Sequence, residues 1–131
     1  MTRTTPDLLS QAIEFRTLMG QPIGTTQEEI LELQSNLIFE EFYEFFDAFD
    51  VAQSLPRSDE ASADALKELA DLVYVCFQFA AAIGWELDEA LDRVHKSNLS
   101  KLVDGKPLRR SSDNKVLKGP NYQPPYLNDL V

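Results

Sequence analysis

Apolar residues recur every three or four positions in separate stretches of the chain, and loops rich in glycine or proline divide these stretches. The first stretch covers residues 7–19 and ends at Gly20. The second begins at Thr25 or Thr26, because each threonine stands three residues before a glutamate, in the spacing of a helix-capping box. It continues to about residue 54. The spacing therefore predicts two helices in the first part of the chain.

Two more helices are predicted before the pattern changes. The third covers about residues 62–83 and ends at Gly84, and the fourth covers about residues 86–101. Beyond residue 102 prolines, glycines and scattered basic residues replace the helical spacing. We expect this last segment to be extended and to lie on a neighbouring surface, with residues 115–118 as a short strand at most.

These elements predict an all-α fold, a hairpin that resembles a four-helix bundle. At 131 residues the chain has the size of one domain. We expect a single domain of residues 1–131, with a helical core at about 7–102 and an extended, basic, proline-rich C-terminal tail at about 103–131. The second and third helices carry more apolar surface than one hairpin can bury. Symmetric pairing of copies would cover it, so we expect a homo-oligomer.

The charge is strongly negative and unevenly divided. The net charge is −10, and this argues against binding of nucleic acid along the whole surface. Most acidic residues lie before residue 91, whereas basic residues outnumber acidic ones after it. One interpretation is an acidic helical body with a basic tail. The other is a cation-binding acidic site beside a basic segment that receives an anion.

The cellular location is indicated by three features. The N-terminal segment 1–10 has no apolar run typical of a secretion signal. The longest apolar run, residues 72–83, is interrupted by Gln78 and is too short to span a bilayer. The single cysteine, Cys76, allows no disulfide within the chain. We therefore expect a cytoplasmic protein that binds neither membranes nor nucleic acid.

Carboxylates occupy one face of an otherwise apolar part of the second helix. Glu40 and Glu41 lie four and three residues before Glu44, so all three crowd one side of the helix, and their neighbours are mostly large apolar residues. Glu68 and Asp71 repeat this arrangement on the third helix. The two clusters are about equally far from the loop around residue 56, so a hairpin would place them at the same level.

Buried carboxylates without partners are costly, and like charges at helical spacing add to the cost. Lys67 is the only basic residue near either cluster. A divalent cation such as Mg²⁺ takes oxygen ligands and bridges carboxylates to phosphates. The pattern therefore predicts a metal site. A solvated acidic helix face is the alternative interpretation, which the apolar neighbours and the second acidic pair disfavour.

These motifs together resemble the all-alpha nucleotide pyrophosphohydrolases, the MazG-like superfamily, which includes dimeric dUTPases and phosphoribosyl-ATP pyrophosphatase. The residues that carry the resemblance are EExxE at residues 40–44, a spacer of 23 residues and ExxD at residues 68–71. The HxSNxxK stretch at residues 95–101 is similar to the phage and bacterial branch nearest to phosphoribosyl-ATP pyrophosphatase. The resemblance covers about residues 28–125.

The resemblance implies a helical bundle, a dimer or a dimer of dimers, and dependence on Mg²⁺ or Mn²⁺. It implies hydrolysis of a nucleoside triphosphate to the monophosphate and pyrophosphate, in the host cytoplasm if the protein is phage-encoded. Residue by residue, it implies metal ligands, a catalytic carboxylate that acts on the attacking water, and substrate contacts. The implied metal ligands are Glu41, Glu44, Glu68 and Asp71. The implied catalytic carboxylate is Glu40. The implied substrate contacts are Asn98, Lys101, Lys115 and Lys118.

The base is the least determined part of the prediction. We expect a purine, with dGTP or GTP ahead of dATP, because Trp85 or Tyr122 offers an aromatic face and Asn98, Asn114 or Asn121 offers an amide. Phosphoribosyl-ATP pyrophosphatase and dUTPase activities on the same fold remain alternatives. A non-catalytic helical interaction protein is a third, although it would not need carboxylates in apolar surroundings.

Overall fold

The computed structural model describes residues 7–131. Residues 1–6, on which the expectation of no secretion signal partly rests, lie outside this range. The described residues form four α-helices, one 3-10 helix and no strand, so the all-α prediction is confirmed. No helix within this range has the length and apolar character needed to cross a membrane. The helices are α1 (Leu8–Leu18), α2 (Glu28–Ser54), α3 (Asp59–Ile83) and α4 (Leu87–Leu99), and the 3-10 helix is Asn128–Leu130.

The predicted start of α2 was wrong. The residue that precedes the helix is Gln27, whose side chain makes no capping hydrogen bond. The Thr25 hydroxyl instead accepts a hydrogen bond from the Gln27 amide at 3.2 Å, which forms a local turn. A short hydroxyl side chain can bond to nearby backbone in a turn as readily as at a helix start. The capping-box spacing alone therefore did not locate the boundary.

The other boundaries differ by a few residues. Helix α3 begins earlier than predicted, because the Ser58 hydroxyl accepts from the Ala61 amide at 3.1 Å and caps the helix at the end of the connecting loop. It ends at Gly84, as predicted, where the φ angle is 89°. This left-handed conformation favours glycine. Helix α4 ends at Leu99, two residues before the predicted end at residue 101.

The described residues divide into two compact units, with the boundary between Trp85 and Glu86. In the first unit α2 and α3 pack as an antiparallel hairpin, and α1 packs on α3. Its buried apolar residues are mostly small, which permits close approach of the helices. They are Ala12, Ala61, Ala65, Phe77, Ala80, Ala81 and Ala82. That the whole chain acts as one domain stays a prediction.

The loop between α1 and α2 bonds to the C-terminal turn of α3. The amide of Gly24 donates to the carbonyl of Ala81 at 3.0 Å, and the amide of Thr25 donates to the carbonyl of Ala82 at 2.6 Å. A Cβ atom at Gly84 would lie 3.3 Å from the Gly24 Cα. These contacts satisfy carbonyls that have no partner within the helix, and they fix where α2 starts relative to α3.

In the second unit the C-terminal tail returns to α4. The Arg93 guanidinium donates to the Asp129 carboxylate at 2.6 Å and to the Tyr126 carbonyl at 2.9 Å. The Ser97 hydroxyl donates to the Gln123 carbonyl at 2.7 Å. At residues 115–118, where a short strand was considered, the structure has only an isolated bridge at Val116.

Candidate metal centre

The hairpin brings three carboxylates into one group. One carboxylate oxygen from each of Glu41, Glu44 and Glu68 lies within 4.8 Å of the other two. Because α2 and α3 are antiparallel, residues equally far from Pro56 lie at the same level, and Glu44 pairs in this way with Glu68. Glu41 pairs with Asp71 at the next level. Both acidic pairs named in the sequence therefore lie side by side.

Because this group contains only anionic side chains, its burial destabilises the folded protein unless a cation is bound. The Oε2 atoms of Glu41 and Glu68 are buried and have no hydrogen-bond partner among the described residues. Burial raises the pKa of Glu41, and a hydrogen bond and charge repulsion from Glu44 raise it further, with smaller contributions from Asp71 and Glu68. Each effect disfavours the ionised form. A cation at this position would remove the penalty.

Lys67 supplies only part of the required positive charge. Its ammonium lies 2.7 Å from the Asp71 carboxylate and 3.5 Å from that of Glu68. The Lys67 side chain is 68% exposed, so water competes with both contacts. One solvated lysine beside Asp71 and the three grouped glutamates leaves this part of the hairpin strongly negative. An all-oxygen donor set with unpaired buried atoms fits a hard divalent cation.

The predicted catalytic carboxylate, Glu40, does not converge with the three grouped carboxylates. Glu40 is exposed on α2 and is not one of the three residues whose oxygens converge. It precedes Glu41 and lies one helical turn from Glu44. It is therefore beside the acidic group and in contact with water, and its role stays a prediction.

A cavity of about 360 Å³ adjoins the acidic group in the first unit. Carboxylates line one end of it, glutamine amides line the other, and aromatic rings from α1 and α3 form part of the wall. Two of the glutamines lie at the same level of the hairpin, because Gln34 and Gln78 are equally far along the chain from Pro56. The carboxylates are Glu41 and Asp71, the glutamines are Gln21, Gln34 and Gln78, and the aromatic residues are Phe15 and Tyr74.

The amide end of the cavity contains polar groups that the sequence interpretation did not assign to a site. Arg16 is only 1% exposed, and its Nη1 atom donates to Gln78 Oε1 at 3.3 Å. Gln34 is 5% exposed, and its Oε1 atom has no hydrogen-bond partner among the described residues. The available signal was the interruption of an apolar run by Gln78, whereas Gln34 lies among polar residues of α2 and gave no such signal.

The four predicted substrate contacts belong to the second unit. Asn98 is exposed near the end of α4, and its carbonyl accepts from the half-buried Lys101. Lys115 is exposed in the tail. The Lys118 ammonium lies 4.8 Å from the centre of the Tyr122 ring. Tyr122 thus helps to hold the tail lysine. Trp85 in the first unit packs edge-on against Phe79, with ring centres 5.7 Å apart.

Comparison with known proteins gives one finding on the family. A search of curated protein sequences finds no match. A family model described as phosphoribosyl-ATP pyrophosphohydrolase matches residues 12–98, about two thirds of the chain. The matched segment contains both acidic pairs and Asn98, and it ends before the three predicted phosphate-binding lysines. The chain therefore belongs to the phosphoribosyl-ATP pyrophosphohydrolase family.

Proposed function

We propose that this protein hydrolyses a nucleoside triphosphate to the monophosphate and pyrophosphate, with a purine such as dGTP or GTP as the preferred substrate. Membership of the family implies a nucleotide pyrophosphohydrolase. The observation that supports this function most directly is the group of Glu41, Glu44 and Glu68, in which two buried carboxylate oxygens lack a hydrogen-bond partner within residues 7–131. Such a group is suited to holding the cation that accompanies a triphosphate.

The carboxylates are proposed to hold Mg²⁺ or Mn²⁺. When bound, the ion would neutralise charge on the phosphate oxygens and make water a stronger nucleophile. Glu41, Glu44, Glu68 and Asp71 would act as ligands. Lys67 beside Asp71 would orient that carboxylate.

Glu40 is proposed to accept the proton of the attacking water. Its support is the family motif and its position, exposed to water and directly before Glu41. Proton transfer to a positioned carboxylate is an ordinary role for glutamate in hydrolysis. Asn98, Lys101, Lys115 and Lys118 are proposed to contact the substrate, the lysines as point charges on its phosphates.

A second candidate activity is hydrolysis of phosphoribosyl-ATP, and the family match specifically favours it. This compound carries the same triphosphate with a second ribosyl phosphate on the base. The acidic group would serve either substrate, because both reactions release pyrophosphate. The two activities therefore differ in what the base end of the site must accept.

The test is product analysis by ion-exchange chromatography. The protein is incubated with each of the four dNTPs, ATP, GTP, dUTP and phosphoribosyl-ATP, with Mg²⁺, with Mn²⁺ and with EDTA. The expected result is a monophosphate and pyrophosphate in equal amounts, only with metal, and fastest for a guanine nucleotide. Release of inorganic phosphate and a diphosphate would refute the proposed reaction. Faster cleavage of phosphoribosyl-ATP or dUTP would replace the proposed substrate.

A further inference from the structure

The cavity between α2 and α3 has two chemically different ends. Glu41 and Asp71 line one end, and Gln34 and Gln78 line the other. Each glutamine is seven residues from the carboxylate on its own helix. Two helical turns separate such residues by about 10 Å along the axis. The ends are therefore about as far apart as the base and the phosphate of one nucleotide.

Gln34 is the buried amide of the cavity lining whose oxygen lacks a partner among residues 7–131. It is 5% exposed, lines the cavity, and its Oε1 atom makes no hydrogen bond with the described residues. Leaving a buried carbonyl oxygen unpaired destabilises the folded protein. Because Gln34 lines the cavity, a rotation of its side chain would present this oxygen to an N–H or O–H group that occupies the cavity. An amide oxygen has two lone pairs and can accept two such bonds.

Gln78 differs from Gln34 because its amide is already engaged. Its Oε1 accepts from Arg16 Nη1 at 3.3 Å, and its Nε2 donates to the Ala12 carbonyl at 3.5 Å. Arg16 is itself held by a 2.7 Å bond from its Nε to the Pro22 carbonyl. The polar network on this side is therefore fixed within the protein. Of these two amides, Gln34 is the one free to recognise a ligand.

The walls between the ends suit a flat ring. Phe15 and Tyr74 both line the cavity, with ring centres 5.8 Å apart and planes at 87°. Leu37 and Val75 lie between the amide and carboxylate ends. Aromatic and apolar side chains stabilise a base by stacking and by exclusion of water. The cavity thus combines an apolar wall with a lining glutamine, Gln34, whose amide oxygen has no partner among the described residues.

We propose that Gln34 is the residue that determines base specificity, and that its amide oxygen accepts hydrogen bonds from the edge of a guanine. Guanine presents a ring N–H beside an exocyclic amino group, two adjacent donors that match the two lone pairs of the amide oxygen. The phosphates would then lie at the carboxylate end. This inference rests on the proposed nucleotide pyrophosphohydrolase function, and it adds the residue that selects the substrate.

Binding without hydrolysis tests the contact directly. The side-chain amide signals of wild-type protein are assigned by NMR, and dGMP, dAMP, dCMP and dTMP are titrated in turn to millimolar concentration with Mg²⁺. The expected result is that dGMP shifts the Gln34 side-chain signal more than the other nucleotides do. If no nucleotide moves this signal, or if all move it equally, the inference is overturned. This measurement does not depend on catalysis.

The kinetics of two matched variants test whether Gln34 determines base specificity. Gln34→Met keeps the side-chain length and removes the amide, and Gln53→Met makes the same change at an exposed position on α2. Gln34→Met is expected to lower the ratio of kcat/KM for dGTP over dCTP and dTTP by about tenfold or more, while Gln53→Met leaves it unchanged. An equal loss on all substrates would overturn the inference. Wild-type protein that cleaves no triphosphate would refute the proposed function, and the NMR titration would still decide the role of Gln34.

Discussion

At the scale of single residues, the acidic group is defined by the imbalance between its anions and its one lysine. Glu41 and Glu68 each hold a buried oxygen without a partner among the described residues, while Lys67 satisfies mainly Asp71. Buried charge that is not paired within the protein is commonly kept for binding or catalysis. Substitution of these carboxylates should therefore affect activity far more than substitution of acidic residues elsewhere on the same helices.

Removing the charge of one proposed ligand should abolish hydrolysis and leave the fold intact. We expect Glu41→Gln and Asp71→Asn each to lower kcat/KM by more than about a hundredfold, since even outer partners of metal ligands contribute 10- to 100-fold. Asp50→Asn, at an exposed position on α2, is the control. Helical circular dichroism should be unchanged in all three. Full activity in both site variants would exclude these ligands.

The pH dependence of stability should show the raised pKa of Glu41. Because the native carboxyl binds its proton more tightly than in the unfolded chain, ionisation of Glu41 destabilises the fold as the pH rises through its native pKa. In EDTA, Glu41→Gln should therefore become more stable relative to the wild type as the pH rises across this range. The quantity compared is the free energy of unfolding of each protein. Urea titrations at successive pH values measure it. A difference that is constant with pH would contradict the shift.

At the scale of the helices, the sequence predicted the number and order of elements and the position of the acidic pairs along them. Apolar spacing and the breaks at Gly20, Pro56 and Gly84 were sufficient for this, because they act locally. The starts of α2 and α3 were not predicted correctly, since both threonine and serine can bond to a turn or to a helix. Only the folded chain shows that Ser58 caps a helix and that Thr25 does not.

The sequence could not reveal the amide end of the cavity, because it depends on two helices meeting at the same level. Gln34 is unremarkable within α2, and Gln78 is visible only as an interruption of an apolar run. Their shared position follows from the hairpin geometry. The network with Arg16 depends in addition on the packing of α1 against α3. Long-range contacts of this kind leave no periodic signal in the chain.

The capping assignments predict different effects for two similar substitutions. Ser58→Ala should destabilise the protein by about 1 kcal/mol, because the start of α3 loses the hydrogen bond to the Ala61 amide. Thr26→Ala should have little effect, since Gln27 and not Thr26 precedes α2. Urea denaturation of both variants gives the comparison. Equal destabilisation would mean that Thr26 has a structural role after all.

At the scale of the whole molecule, cation binding should stabilise the folded state. A ligand that binds only the native protein adds stability by mass action, about 2.7 kcal/mol at a hundred times its Kd. We expect Mg²⁺ or Mn²⁺ at millimolar concentration to raise the Tm of the wild type by several degrees. Glu41→Gln should lose most of this shift. No shift in the wild type would argue against a preformed site.

The exposed apolar surface of the hairpin leads us to propose a homo-oligomer, a dimer of dimers. Phe39, Tyr43 and Leu66 are each more than 60% exposed, and the Phe39 and Tyr43 rings stack on each other. Exposed patches of large apolar side chains commonly mark an interface. Light scattering at micromolar concentration should give a mass above that of the 14.8 kDa chain. Phe39→Glu with Leu66→Glu should shift it towards the monomer. A monomeric wild type would refute the proposal.

The bonds between the α1–α2 loop and the end of α3 have a consequence for local opening. Gly24 and Thr25 lie in irregular structure, but their amides donate to the carbonyls of Ala81 and Ala82. Their hydrogens cannot exchange with solvent until the last turn of α3 separates from the loop. In a hydrogen–deuterium exchange experiment these two loop amides should therefore be protected to the same degree as the adjacent end of α3. The loop and the helix end would then open as a single cooperative unit.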